Sequence, residues 1–278
     1  MPKEFILTSE TKELSATQKE QYTRLVIKSN DLIRKGCYKL TAVQQKLVNY
    51  LISDIKDTDT TETIKEYDIF EILDLLGIPN EHNEHLKEFY KTLEAVASKH
   101  WWWLDPDTNN RTIMSFFNGV TITPDNKLQV SFNINILPYL QALKGNYTGY
   151  KVFYILDMKS SYSMRLYEFL KAAEDLHVWY SKISYLKMLL DCENYSFKDF
   201  NQKIIMPSLA EINKKSDITV DYALYKKSRS YVGMEFYIYS KDDAERLTAE
   251  RSTRQSLDDV LLKNHHGEYQ AQERPEKP

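Results

Sequence analysis

An α+β fold of two consecutive domains is predicted for this chain by three observations. Its 278 residues suit two domains at about 100 to 200 residues each. One order of elements (helix, strand, helix, long helix, hairpin) runs twice, about 110 to 120 residues apart, with no obvious identity between the copies. The second copy closes on two strand-like segments joined by a basic turn, "KKSR".

The first 20 or so residues are polar and read as a loose arm. In "LTAVQQKLVNYLISDI" the apolar positions 40, 43, 47, 48, 51, 52 and 55 keep the helical period, with Thr41 placed to cap it. "ETIKEYDI" follows as a short strand, "FEILDLLGI" as a short helix stopped by Gly77, and "NEHLKEFYKTLEAVASK" as a longer helix. "HWWWL", "RTIMSFFNGVTIT" and "LQVSFNINI", separated by turn-rich "DPDTNN" and "PDNK", predict a hairpin or three-stranded meander. The second copy reads "SYSMRLYEFLKAAED" (helix), "HVWYSK" (strand), "ISYLKMLLD" (helix), "FKDFNQKIIMPSLAEINKK" (long helix), then "DITVDYALYK" and "SYVGMEFYIYS" as the hairpin.

That order is the winged form of the helix-turn-helix, in which the long helix enters a major groove and the hairpin touches backbone or minor groove. The expected division is an arm over 1–23, one winged-helix domain over 24–148, a second over 149–240 and a polar tail over 241–278. Gly145 and Gly149, the only close glycine pair, mark the junction. The tail's composition is that of a disordered segment.

Composition narrows the function classes. The N-terminus has no basic leader with an apolar core, and no apolar run approaches the roughly 18 residues that span a bilayer, so a cytoplasmic protein without membrane partners is expected. Cys37 and Cys192 lie far apart without a Cys/His cluster and read as structural thiols. Seven scattered glycines supply neither GxGxxG nor GxxxxGK[ST], so no nucleotide cofactor is implied. His82 and His85 resemble a metal-binding HExxH only loosely, and His265 and His266 sit in the tail; no metal and no catalytic residue are expected. In "HWWWL", Trp101 and Trp103 point to one face and Trp102 to the other, which suits core packing or a subunit contact better than stacking on bases.

The net charge of -3 hides an uneven distribution. Residues 151–240 carry 13 Lys and Arg against 11 acids, and residues 198–229 alone hold seven cations against four acids. Within the long helix, Phe197, Phe200, Ile204 and Ile205 form one arc at about 100° per residue, while Ser196, Lys198, Asp199, Gln202 and Lys203 occupy the other, with Asn201 at the apolar edge. Lysine neutralises phosphate or reaches guanine acceptors, and glutamine pairs with adenine, each good pair contributing about 1 to 3 kcal/mol of discrimination. Lys226, Lys227 and Arg229 in the wing would clamp phosphates and set the register. The equivalent helix of the first half offers Asn83, Lys87 and Lys91 but also Glu84, Glu88 and Glu94, a weaker, phosphate-directed surface.

Three stretches together resemble the initiator (Rep) proteins of iteron-containing theta-replicating plasmids: "VIKSNDLIRKGCYKLTAVQQKLVNYLIS", "SYSMRLYEFLK", and "PSLAEIN" followed by the "DITV" strand. The resemblance covers about residues 24 to 240. It implies two winged helices on successive major-groove faces of a directly repeated origin site, origin opening, and recruitment of host helicase and replication proteins. It also implies a homodimer, formed through the first domain and in equilibrium with monomer, that binds an inverted repeat and represses its own promoter. Several relatives carry arginines where this chain has Asn201, Gln202 and Lys203. The expected result is a shallower salt dependence, the slope of log K against log[salt] shrinking by about 0.9 for each phosphate left without a cation; a side-by-side titration with a relative checks it. A winged-helix repressor without a replication role remains open from sequence, as does, more remotely, a rolling-circle nickase.

Overall fold

In a computed structural model, the structure describes residues 23–79, 83–104, 109–141, 146–242, 245–246 and 248–249. The expected arm, nearly all of the tail, His82, His265, His266 and Gly145 lie outside them. Among the described residues, ten strands and two sets of helices form two winged-helix units.

The first unit opens with β1 (Leu25–Ser29) and α1 (Asn30–Lys35), the Ser29 hydroxyl accepting from the Leu32 amide at the helix start. Then come α2 (Ala42–Ile52), β2 (Lys65–Asp68), α3 (Ile69–Leu76) and α4 (Asn83–Ala97). Thr41 and Gln44 cap α2 reciprocally, each side chain accepting from the other's backbone amide. Gly77, at φ 69°, ends α3 in the left-handed conformation that favours glycine.

The strands after α4 depart from the expected meander. "RTIMSFFNGVTIT" divides into β4 (Arg111–Met114) and β5 (Phe117–Ile122); among the described residues β4 pairs with β3 (Trp101–Leu104) alone, and β5 pairs with β6 (Lys127–Phe132). β2 adds to the far side of β6, giving the order β2-β6-β5. Phe116, fully buried between the two pieces, sends its ring into the core while its carbonyl accepts from the Asn133 amide at 3.0 Å. Trp101 and Trp103 face the core and Trp102 faces out, as alternation requires.

Two pairs of elements escape the sequence pattern: β1 with α1, and β7 (Tyr147–Lys151) with α5 (Val152–Asp157). β7 pairs antiparallel with β1, Leu25 opposite Lys151, so the expected boundary at 148/149 falls inside a strand of the first unit's own ladder. All six residues of α5 are buried, and a helix buried all round shows no amphipathic period.

The second unit repeats the first: α6 (Ser161–Lys171), β8 (Val178–Lys182), α7 (Ile183–Leu189), the long helix α8, then β9 (Ile218–Lys227) and β10 (Ser230–Ser240). Its sheet order, β8-β10-β9, matches β2-β6-β5 position for position. The β1–β7 and β3–β4 pairs have no counterpart in the second unit among the described residues. One continuous apolar core runs through both, from Val26 to Ile238.

Charge crosses the joint between the units. Glu168 on α6 is fully buried; its carboxylate accepts from Lys28 Nζ on β1 at 2.7 Å, Tyr150 on β7 at 2.7 Å and Arg165 at 2.8 Å. Arg165 also donates to the carbonyls of Ile33 and Gly36, at 2.6 and 2.7 Å, and to the Tyr38 hydroxyl at 2.9 Å. Burial pushes the Glu168 carboxyl up, but the charges of Lys28 and Arg165 outweigh it and hold the group at about 2. Outside this cluster, Arg34 donates to the Ala172 carbonyl, Tyr185 donates to the Arg34 carbonyl, and Lys39 pairs with Asp191.

Candidate nucleic-acid interface

The long helix α8 joins an α-helical turn (Phe197–Asp199), a π-helical stretch (Phe200–Ile205) and a second α-helical run (Met206–Lys215). Its start is fixed by Ser196, whose hydroxyl accepts from the Asp199 amide at 3.0 Å and donates to the Asp199 carboxylate at 2.7 Å. Ser196 therefore shapes the helix start, although it remains exposed.

Pro207 has no N–H for the Lys203 carbonyl. The helix continues past it because the turn before it widens, the Met206 amide bonding to the Asn201 carbonyl five residues back. The buried positions carry the same message: Phe200, Ile204, Ser208, Ile212 and Ser216 recur every fourth residue. A straight α-helix would drift about 40° per such step, and the π-helical stretch takes up part of that drift. Pro207→Ala would permit ordinary bonding and turn the first half of α8 relative to the second. The expected variant is more stable by up to about 3 kcal/mol, by denaturation, and less selective among DNA sequences in competition binding. Unchanged selectivity would leave the wide turn a packing feature only.

On the solvent side the structure brings together Lys198, Gln202 and Lys203, all exposed, with Met206 beside them at 51%. Met206 was not singled out from sequence; its signal is an apolar residue off the apolar arc, one turn beyond Gln202, suited to a thymine methyl. Lys203 lies 2.7 Å from Asp199, and this hydrogen bond, with that from Ser196, holds the Asp199 carboxyl below its usual range. Asn201 turns the other way, half-buried, its Oδ1 accepting from the Tyr222 hydroxyl of β9 at 2.9 Å. Its side chain fastens helix to wing and is withdrawn from the exposed arc.

The wing stands next to this arc. The Phe197 ring stacks on Tyr231 of β10, centroids 4.5 Å apart at 25°, and Lys226 Nζ sits 4.6 Å from the same Tyr231 ring. Helix start and wing tip are thus one packed unit. Lys227 and Arg229 are exposed on either side of Ser228, whose φ of 57° makes the turn. Replacing Lys226, Lys227 and Arg229 with alanine should lower affinity about equally for all DNA sequences and flatten the salt slope by about 0.9 for each phosphate no longer neutralised, readable from log K against log[salt]. A loss confined to one sequence would place base reading in the wing.

Not every cation of the basic stretch is available. Lys215 bonds the Asp157 carbonyl at 2.7 Å and lies 3.3 and 3.4 Å from the carboxylates of Asp157 and Glu211. Glu211 accepts from the backbone amides of Lys159 and Ser160, and Asn213 exchanges two hydrogen bonds with the Val220 backbone. These residues of "AEINKK" build the unit. In the first unit, Lys87 and Lys91 are exposed on α4 and Asn83 opens that helix, but Lys91 lies 2.7 Å from Glu88.

Among the described residues no group of three or more His, Cys, Asp or Glu side chains could hold a metal ion, and no helix is long and apolar enough to cross a membrane. Cys37 is exposed and Cys192 buried, both as free thiols.

Comparison with known proteins follows this architecture. Residues 25–171 match the family model described as Initiator Replication protein, WH1, and residues 182–238 match that described as Initiator Rep protein, WH2. None of the curated proteins compared matches the chain in sequence. Among solved structures, the Pi initiator protein in complex with iteron DNA superposes with a TM-score of 0.66 at 16% identity, covering 80% of this chain and 99% of that one. A likeness at that identity is one of fold.

Proposed function

The chain belongs to the initiator replication protein family of tandem winged helices, and from that premise we propose that it is a plasmid replication initiator acting on directly repeated origin DNA. The second unit reads the repeat: Lys198, Gln202, Lys203 and Met206 enter the major groove while Lys226, Lys227 and Arg229 hold the backbone. The first unit adds a weaker, phosphate-directed contact through Asn83, Lys87 and Lys91. The protein has no catalytic role; it opens the origin, working in the cytoplasm, and host helicase and replication proteins are recruited to it. A monomer binds each direct repeat, and a homodimer binds an inverted repeat and represses the initiator's own promoter. Trp102 and Ile113, exposed at 67% and 53% and directly opposite each other in β3–β4, supply the first unit with an apolar surface suited to that dimer.

The observation that carries this reading is the single exposed face made by the polar arc of α8 and the wing, welded by the Phe197–Tyr231–Lys226 stack. Two experiments test it. Selection from a random duplex pool should enrich one repeat sequence, and the gene with its flanking direct repeats should sustain an otherwise replication-defective plasmid. Enrichment without replication would leave a repressor; no enrichment would remove the DNA-reading role.

A further inference from the structure

We propose that Lys28, Arg165 and Glu168 are positioning residues that lock the two winged helices into one relative placement, so that the protein accepts only one spacing between the two halves of its DNA site. The inference rests on the reading of α4 and α8 as groove-facing helices and goes beyond it.

The placement of the cluster carries the argument. In chain order α6 stands before β8 as α2 stands before β2, and it packs directly on α8, although the match to the first family model runs on through it to residue 171. Every partner of the Glu168 and Arg165 side chains outside α6 comes from the first unit: Lys28 on β1, Tyr150 on β7, Tyr38, and the carbonyls of Ile33 and Gly36. Lys28 and Glu168 are no more than 1% exposed.

A buried ion cluster adds little net stability, because desolvating its charges offsets most of their attraction; its best-attested use is to specify one register. Apolar surfaces tolerate sliding. A guanidinium bonded to two carbonyls, a hydroxyl and a carboxylate does not, because any slip strands a buried charge. α6 is therefore fixed against the first unit, and α8 moves with α6.

The consequence is read in base pairs. One inserted pair between half-sites moves the second by about 3.4 Å and turns it by about 34°. A rigid protein cannot follow both half-sites, whereas a jointed one can.

The test uses the full chain and the duplex enriched by wild type from a random pool, with spacers changed by one and two base pairs between the segments footprinted by each unit. Wild type should lose at least tenfold in affinity for a one-pair insertion. Lys28→Met, Arg165→Met and Glu168→Gln together, which remove all three charges and the bonds of Arg165 to the Ile33 and Gly36 carbonyls and leave Tyr150 a carbonyl to bond, should keep the order of preference but lose under threefold. A merely destabilising change would weaken all spacers alike. If that variant does not fold, Tyr150→Phe takes its place, with a loss intermediate between the two. Overturning results are a wild type that tolerates the insertion with under threefold loss, or a folded variant whose spacer profile is as narrow as that of wild type. A wild type that enriches no sequence removes the DNA-reading premise and this inference with it, an outcome distinct from a flat spacer profile.

Discussion

Lys198→Glu combined with Lys203→Glu is expected to lower affinity for the repeat by at least about 100-fold, toward the level of non-specific binding, with the thermal midpoint held to within about a degree. Both side chains are exposed on the face of α8 next to the wing, and the ion pair that the change disturbs is the surface pair of Lys203 with Asp199. Surface pairs of this kind add little to stability, so folding should be unaffected. The DNA, in contrast, would meet two carboxylates where two counterion-releasing cations had stood. Fluorescence anisotropy on the repeat, alongside a melting curve, reads both quantities. Repeat binding retained at full strength would remove this helix from the interface. Lys215→Glu is the useful contrast: that cation is half-buried and paired with Asp157 and Glu211, so its loss should appear first in the melting curve.

The contrast between Lys203 and Lys215 shows where sequence reading reaches its end. Both are lysines on the polar side of one helix in a basic stretch. What separates them is Asp157, 58 residues away from Lys215 and brought to it only by the fold. The amphipathic helices α3 and α4 and the wing strands were legible because each has one buried and one solvated face, which leaves a period in the sequence. β7 and α5 left none: β7 interrupts the expected domain boundary, and α5 is buried on every side. The division of "RTIMSFFNGVTIT" into two strands depends on Phe116 dropping into the core, a tertiary event. The wide turn before Pro207 did leave a trace, in buried residues spaced by four, but the proline itself suggested only a bend.

The resemblance motifs are legible for a different reason. Lys28, Arg165 and Glu168 form the joint between the units, Ser29 caps α1, Glu211 caps the approach to α6 and Asn213 pins β9. Their side chains hold the framework together and do not lie on the exposed arc of α8. The resemblance in this chain therefore reports on the architecture, whereas Gln202 and Met206, the positions proposed to meet bases, lie outside its motifs.

Removing one member of the joint should be far more damaging than any change on the arc. Glu168→Gln leaves Lys28 and Arg165 buried against each other without a carboxylate, and the expected loss is about 3 to 5 kcal/mol of unfolding free energy near pH 7. Lys28→Met combined with Glu168→Gln should cost less than Glu168→Gln alone, since one of the two stranded cations is removed with its partner. The pH dependence supplies a second reading of the same group. Glu168 is held at about 2 in the folded chain against an ordinary 4.5, so its folded-state pKa is depressed. A depressed carboxylate contributes stability that is fully present above 4.5 and is lost as pH falls from there toward 2, because below 4.5 the unfolded chain binds the proton more readily. Wild type should accordingly lose stability more steeply than Glu168→Gln across that window, and the two should converge in strong acid. Urea midpoints measured at neutral pH and at several points between pH 4.5 and 2 give both results from one set of samples. A variant that matches wild type at neutral pH and follows the same acid slope would mean that Glu168 is not the carboxylate on which the two units turn.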